Sequence, residues 1–276
     1  MKPSFVVLTD AAPVGQPLLA YAAVLAAAVG ATLHLVHVVS MPPIATLEYG
    51  LPLLDTSYVP AVRAALRLAA AHLLVPTTIE VIESDWHDAL AQVLAAYRPA
   101  LLLAGLTATD GPLDELLSNR ALPLAHQTGY PLLLVPEHLP TAALKPPRHL
   151  VLAVEDQPFR LTAQAQALAP LLDALACTIT PVTVLAPATV LGGYNGLAAA
   201  QHCGLATVLP TSTLHKVVGA HPAAGIWEAA DTLAADVVVL LDQGHGWVHK
   251  VFSGSVIADV LRYSQIPVLL LPVVTE

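Results

Sequence analysis

Apolar residues come in two kinds of run along this chain, and the two alternate. Short runs rich in Val, Leu and Ile occupy residues 5–9, 32–39, 78–83, 100–105 and 131–135. Between them lie longer Ala- and Leu-rich segments at 16–29, 59–74, 86–97 and 119–128. The short runs predict strands, the long ones helices. Because most of the strand runs show no polar alternation, both of their faces must be covered, and the intervening helices are the covers. That arrangement is a parallel, doubly wound α/β sheet.

The order then starts again. SFVVLTD at 4–10 returns as HLVLAVE at 149–155, and YPLLLVP at 130–136 returns as IPVLLLP at 266–272. An interval of about 140 residues is far longer than the roughly 20 to 50 of a solenoid repeat and marks a duplicated globular unit. We expect two tandem domains, 1–137 and 148–276, joined by the linker HLPTAALKPP at 138–147. Strands of the second copy are expected at 149–154, 178–185, 214–218, 237–241 and 268–271. Its helices are expected at 161–176, within 196–205, at 223–234 and at 255–263. The stretch 184–241 is shorter than its counterpart 38–105 by about ten residues; with Pro42, Pro43, Pro52 and Pro60 flanking the difference, a long lid-like loop is expected in the first copy. The last strand of each copy is apolar and carries no protective charge. We therefore expect the two to pair and make the chain an intramolecular pseudo-dimer, with a further homodimer left open.

Composition raises one objection. Charged residues are 11% of the chain, against about 25% for an ordinary domain, and mean hydropathy is +0.68. Residues 11–47 contain no acidic residue, Lys or Arg at all, yet Pro13, Gly15, Pro17, Gly30, His34 and His37 interrupt them. They read as a buried helix followed by a buried strand rather than a membrane span. The apolar run in MKPSFVVLTD is too short for a signal peptide, so a cytoplasmic protein is expected. Cys177 and Cys203 have neither metal-ligand nor disulfide-framework spacing and are expected to be reduced thiols. A net charge of −9 without a basic run excludes general binding to nucleic acid or anionic membranes.

Several of these runs resemble the universal stress protein family: VLTD at 7–10 its first strand, LVHVV at 35–39 its second, and VVGAHPAAGI at 217–226 its third strand and helix start. More specific is a loop in which two glycines three apart are followed by nine residues and then Gly-Ser or Gly-Thr. The second copy has Gly244, nine residues, Gly254 and Ser255, followed by VIADVLRYSQIPVLLLP. The resemblance covers nearly the whole chain and implies, for each copy, the family's five-stranded sheet of adenine-nucleotide α-hydrolase-like fold. Carried over residue by residue, it implies nucleotide contacts at Ala153, Glu155, Val184, Gly244, Gly254, Ser255 and Val256, with ATP as ligand in the C-terminal copy only. Independently of the resemblance, a Gly-Ser pair entering a helix presents unpaired backbone N–H groups to an anion, although Ser at that place also serves as an ordinary N-cap.

Both copies depart from the pattern. In the second, the first loop glycine is Leu241 and the first-strand Asp is Glu155, one methylene longer, with Asp156 beside it. In the first, Asp10, Val38 and Gly105 match, but the later positions are Ala108, Ser118 and Asn119. Asp114 and Glu115 would add repulsion there, so the first copy is expected not to bind. Among other candidates, His34 and His37 point to opposite faces of a strand, and His245 and His249 sit in a glycine-containing loop with Lys250, so no metal is expected. Trp86 and Trp227, near the start of equivalent helices, are expected to be packing residues. There is no nucleophile elbow, P-loop or dinucleotide fingerprint, and hence no sign of an enzyme. The expectation is a stress-response binding module; the alternatives are a nucleotide-free interaction protein of the same fold and a weak ATP hydrolase.

Overall fold

The computed structural model describes residues 2–9, 16–39, 58–106, 122–219, 221–243 and 256–274. The first half runs β1 (Ser4–Leu8), α1 (Gln16–Val29), β2 (Thr32–Val39), α2 (Tyr58–Ala71), β3 (Thr77–Glu83), α3 (Trp86–Tyr97), β4 (Leu101–Leu106), α4 (Leu122–Thr128) and β5 (Leu132–Pro136). The second runs β6 (His149–Ala153), α5 (Ala163–Gln166), α6 (Ala169–Ala174), β7 (Thr178–Leu185), α7 (Tyr194–His202), β8 (His215–Val218), α8 (Pro222–Thr232), β9 (Val237–Asp242), α9 (Val256–Arg262) and β10 (Val268–Pro272). The expected lid-like loop falls on residues 40–57, outside the described residues.

Among the described residues all the strands join one ten-stranded sheet in the order β3-β2-β1-β4-β5-β10-β9-β6-β7-β8. Within each half every pairing between these strands is parallel. At the centre β5 and β10 pair antiparallel, with Leu134 opposite Val268, Leu133 opposite Leu269 and Leu132 opposite Leu270. This is the pairing of uncharged last strands read from the sequence, and both strands are buried along their whole length. One continuous apolar cluster covers one face of the sheet, running from Phe5, Tyr21 and Leu33 through Leu133 and Leu269 to Leu152, Leu172 and Leu205. A second, on the other face, joins Val6, Val93 and Leu134 to Val268, Leu240 and Ile226. The two halves therefore share their cores on both sides.

Residues 11–47 resolve as read wherever they are described, into the buried helix α1 and the strand β2. Among the described residues no helix is long and apolar enough to cross a membrane. Two expectations need correction. The single helix expected at 161–176 is broken into α5 and α6, because Pro170 cannot donate to the Gln166 carbonyl and its ring crowds it. Thr162 caps the first piece by accepting from Ala165 N–H. Trp227 also lies in the second turn of its helix, whereas Trp86 opens its own; Pro222, favoured at a first helical position, starts α8 earlier. Both indoles do pack on the second cluster.

The linker is latched where it enters β6. Asp236 accepts the N–H groups of Arg148 (2.8 Å) and His149 (3.0 Å) and lies 2.9 Å from Lys145 Nζ. Burial alone would push this carboxyl up; the N–H groups and Lys145 outweigh it and hold the group below the usual carboxylate range. Asp236→Ala leaves two backbone donors without their acceptor and is expected to cost about 1–3 kcal/mol in urea unfolding.

Beside the latch, Cys177 is buried and its thiol donates to the Pro147 carbonyl at 3.3 Å. Burial, opposed by Arg148 and reinforced by Asp236 and Asp173, pushes this thiol up to about 11 from an ordinary 9.0. The folded state thus disfavours the thiolate, so the contribution to stability is complete below pH 9.0 and is lost as pH rises toward 11. Urea midpoints measured across that window should fall for the native chain, and the fall should be shallower in Cys177→Ala. An identical pH profile for the two proteins would show that the thiol is not the responsible group.

Candidate nucleotide site

In a doubly wound sheet the natural ligand crevice lies beyond the C-terminal ends of two neighbouring strands whose chains leave in opposite directions. In the second half these strands are β6 and β9, adjacent in the sheet; the chain passes from β6 outward to β7, and from β9 inward to β10. In the first half they are β1 and β4. Because β5 and β10 are antiparallel, the two crevices open at opposite edges of the shared sheet.

Three of the candidate contacts of the second half lie on one face of the sheet, and a fourth is set apart. Ala153 ends β6, Val184 lies near the end of β7, and Val256 opens α9; all three are half-buried and pack on the same apolar cluster. Glu155 is exposed, and its carboxylate accepts a hydrogen bond from Gln157 Nε2. Gly244, Gly254 and Ser255 lie outside the described residues, as do Trp247, His245, His249 and Lys250. Leu241, in the place of the first loop glycine, packs half-buried on the opposite cluster, the one that contains α5, α6 and α7 residues.

Sequence reasoning missed how the end of β6 is covered. Asp156 accepts the N–H groups of Gly193 and Asn195, the latter at 3.0 Å, and these bonds hold its carboxyl below the usual carboxylate range. It caps α7 from a distance, since the N-cap position itself is Gly193, with φ +91° and no side chain to do so. Gly196 lies against the Glu155 backbone so closely that a Cβ would sit 2.0 Å from its carbonyl oxygen. A Cβ on Gly193 would meet Thr183 Cγ2 at 2.7 Å. The signal was present in LGGYNG at 191–196, whose three glycines, two ahead of α7 and one in its first turn, mark close backbone approach. Asp242, the last residue of β9, was also missed; it is only 4% exposed and ends the strand at the crevice.

In the first half, Val38 is half-buried, and a Cβ on Gly105 would make only ordinary contact with Leu18 at 4.0 Å. Asp10, Ala108, Asp114, Glu115, Ser118 and Asn119 lie outside the described residues. His37 is buried and its Nδ1–H donates to the Thr9 carbonyl at 2.7 Å, which ties β2 to the end of β1. His34 lies on the opposite face, stacked on Tyr97 at 3.9 Å and bonded to Thr78 Oγ1 at 2.7 Å. Each imidazole thus has a structural partner.

A duplicated, doubly wound α/β unit whose strand order reverses at the β1/β4 and β6/β9 junctions defines the class. The sequence profile of the universal stress protein family matches residues 3–136 and again residues 147–272, and the chain belongs to that family. Among solved structures, the chain is similar to a universal stress protein of Archaeoglobus fulgidus DSM 4304, with a TM-score of 0.63 at 12% identity, covering 97% of this chain and 95% of that one. It is also similar to a protein of unknown function from Pseudomonas aeruginosa PAO1, with a TM-score of 0.58 at 17% identity over 99% and 93% of the two chains. At these identities the likeness concerns the fold alone. No curated protein matches the chain significantly in sequence.

Proposed function

We propose that this universal stress protein acts by binding rather than by catalysis, and that its C-terminal half holds an adenine nucleotide in the crevice between β6 and β9. The observation that carries the reading is the junction itself. Ala153 ends β6 there and packs, with Val184 and Val256, on the apolar cluster of that face of the sheet, and in the sequence Gly244, Gly254 and Ser255 fall between the last residue of β9 and the first of α9. The first half lacks the corresponding Gly-Ser pair and is the nonbinding partner.

The test is an ATP titration of the purified chain by calorimetry, preceded by absorbance at 260 and 280 nm to detect copurified nucleotide. One site per chain is expected, with affinity weakened at least about tenfold in Gly254→Ala/Ser255→Ala, since the added methyl blocks close backbone approach and the hydroxyl donor is lost. Unchanged affinity in that variant would move the site elsewhere. ATP turnover above that of the variant would revive the hydrolase reading.

A second reading, a nucleotide-free interaction protein, is favoured by the cover over β6: Asp156 is committed to α7, Glu155 to Gln157, and Leu241 fills a glycine position. Its signature is protein-only absorbance and no heat on adding ATP.

A further inference from the structure

Beyond β6 the chain passes through residues 158–161 in front of α7, and between this loop and the helix lies an open cleft of about 610 Å³. None of Ala153, Glu155, Val184 or Val256 lines it. Its size falls within the range of small-molecule sites, about 300–1,000 Å³. One wall carries Phe159 and Arg160; the other carries Ala198, Ala199 and His202 of α7, with Asn195 at the near end of the helix. The short alanine side chains leave the space that longer ones would close.

Three features give the cleft a chemistry. Arg160 is the one cation among its lining residues, and no acidic side chain pairs with it among the described residues. The carboxylates closest in sequence are engaged elsewhere, Glu155 by Gln157 and Asp156 by the N–H groups of Gly193 and Asn195. Second, the loop bearing Arg160 is held in place before any ligand arrives. Val274 N–H donates to the Arg160 carbonyl (2.8 Å), and Thr162 N–H donates to the Pro272 carbonyl (3.1 Å). The Thr162 hydroxyl donates to the Gly129 carbonyl of the first half (2.7 Å). Third, His202 Nδ1–H donates to the Ala198 carbonyl at 2.7 Å. This sets the tautomer of the neutral ring and leaves Nε2 as an acceptor.

We infer that this cleft binds a small aromatic carboxylic acid. The guanidinium takes the carboxylate in a forked, charge-assisted pair, Phe159 and the alanine wall take the ring, and His202 Nε2 accepts from a hydroxyl on the acid. The site is separate from the β6/β9 crevice and does not depend on nucleotide binding there.

The probe is 4-hydroxybenzoate, titrated into the full chain and followed by calorimetry and by NMR shifts of the Ala198, Ala199 and His202 resonances. Saturable binding with a Kd of about 1 mM or tighter is expected, as suits a ligand of this size. The neutral isostere 4-hydroxybenzamide and the Arg160→Gln protein should each bind at least about tenfold more weakly, while Lys216→Gln, outside the cleft, should bind as the native chain does. Arg160 is exposed, so its variant should keep the native melting temperature, and that is checked alongside. Gly254→Ala/Ser255→Ala should leave the acid's affinity unchanged even where it abolishes ATP binding, which separates failure of this site from failure of the nucleotide reading. Absence of saturable shifts, equal binding of the amide, or loss of the acid in the Gly254/Ser255 variant alone would each overturn the assignment.

Discussion

Leu269→Asp is expected to prevent folding of both halves at once. Leu269 is 4% exposed, lies opposite Leu133 across the central pair of strands, and belongs to the apolar cluster that runs through both halves. A carboxylate placed there has neither water nor a cation to stabilise it, so the chain must either expel β10 or bury the carboxyl, ionised or protonated, at a cost of several kcal/mol. The gentler Leu269→Ala should fold and lose about 2–5 kcal/mol, the range for a truncated core leucine. Because the core is shared, its urea unfolding should be a single transition by both tryptophan fluorescence and circular dichroism. Two separated transitions, with one half unaffected by the substitution, would show that the halves fold independently and that the seam is only a contact.

Gly196→Ala should be the most damaging single-methyl addition among the described residues. The new carbon would lie 2.0 Å from the Glu155 carbonyl oxygen and 3.2 Å from Val154 Cβ. The nearest obstacle is backbone, which cannot rotate away, so α7 must lift from β6. With the helix go the bonds from Asn195 and Gly193 to Asp156. Overpacking of this kind costs about 1–3 kcal/mol, occasionally more, and the lost cap adds about 1 kcal/mol. Gly204→Ala is the control, since nothing lies within 4 Å of a Cβ there, although its φ of +74° brings the modest strain of a left-handed residue. Equal melting temperatures for the two variants would show that α7 is not seated as described.

The sequence was most legible where one physical rule acted alone. Strands buried on both faces announce themselves by unbroken apolar runs, and residues 132–135 and 268–271, lacking any charge, had to be covered by something; the shared sheet is the result. The break in the helix at 161–176 was equally legible in principle, since Pro170 stood inside the run, but the Ala and Leu on either side concealed its effect. The site was harder to read because its geometry depends on approach between segments far apart in sequence. That Asp156 would cap a helix starting at Tyr194, or that Gly196 would rest on the Glu155 carbonyl, follows from neither local propensity nor periodicity. Ala153 and Val184 could be placed because strand ends are fixed by the sheet; Glu155, two residues past the end of β6, was free to turn toward Gln157.

The pairing of β5 with β10 within one chain has a further consequence. Two separate subunits meeting through such strands would form an isologous interface, in which every mutation falls on both partners and assembly follows concentration. Here the ten-residue tether keeps the partner strand at a high local concentration, so dilution cannot part the halves. Identical sequence is no longer required of them either. Each must keep only its side of the leucine ladder, and residues away from that seam are free to differ between the halves.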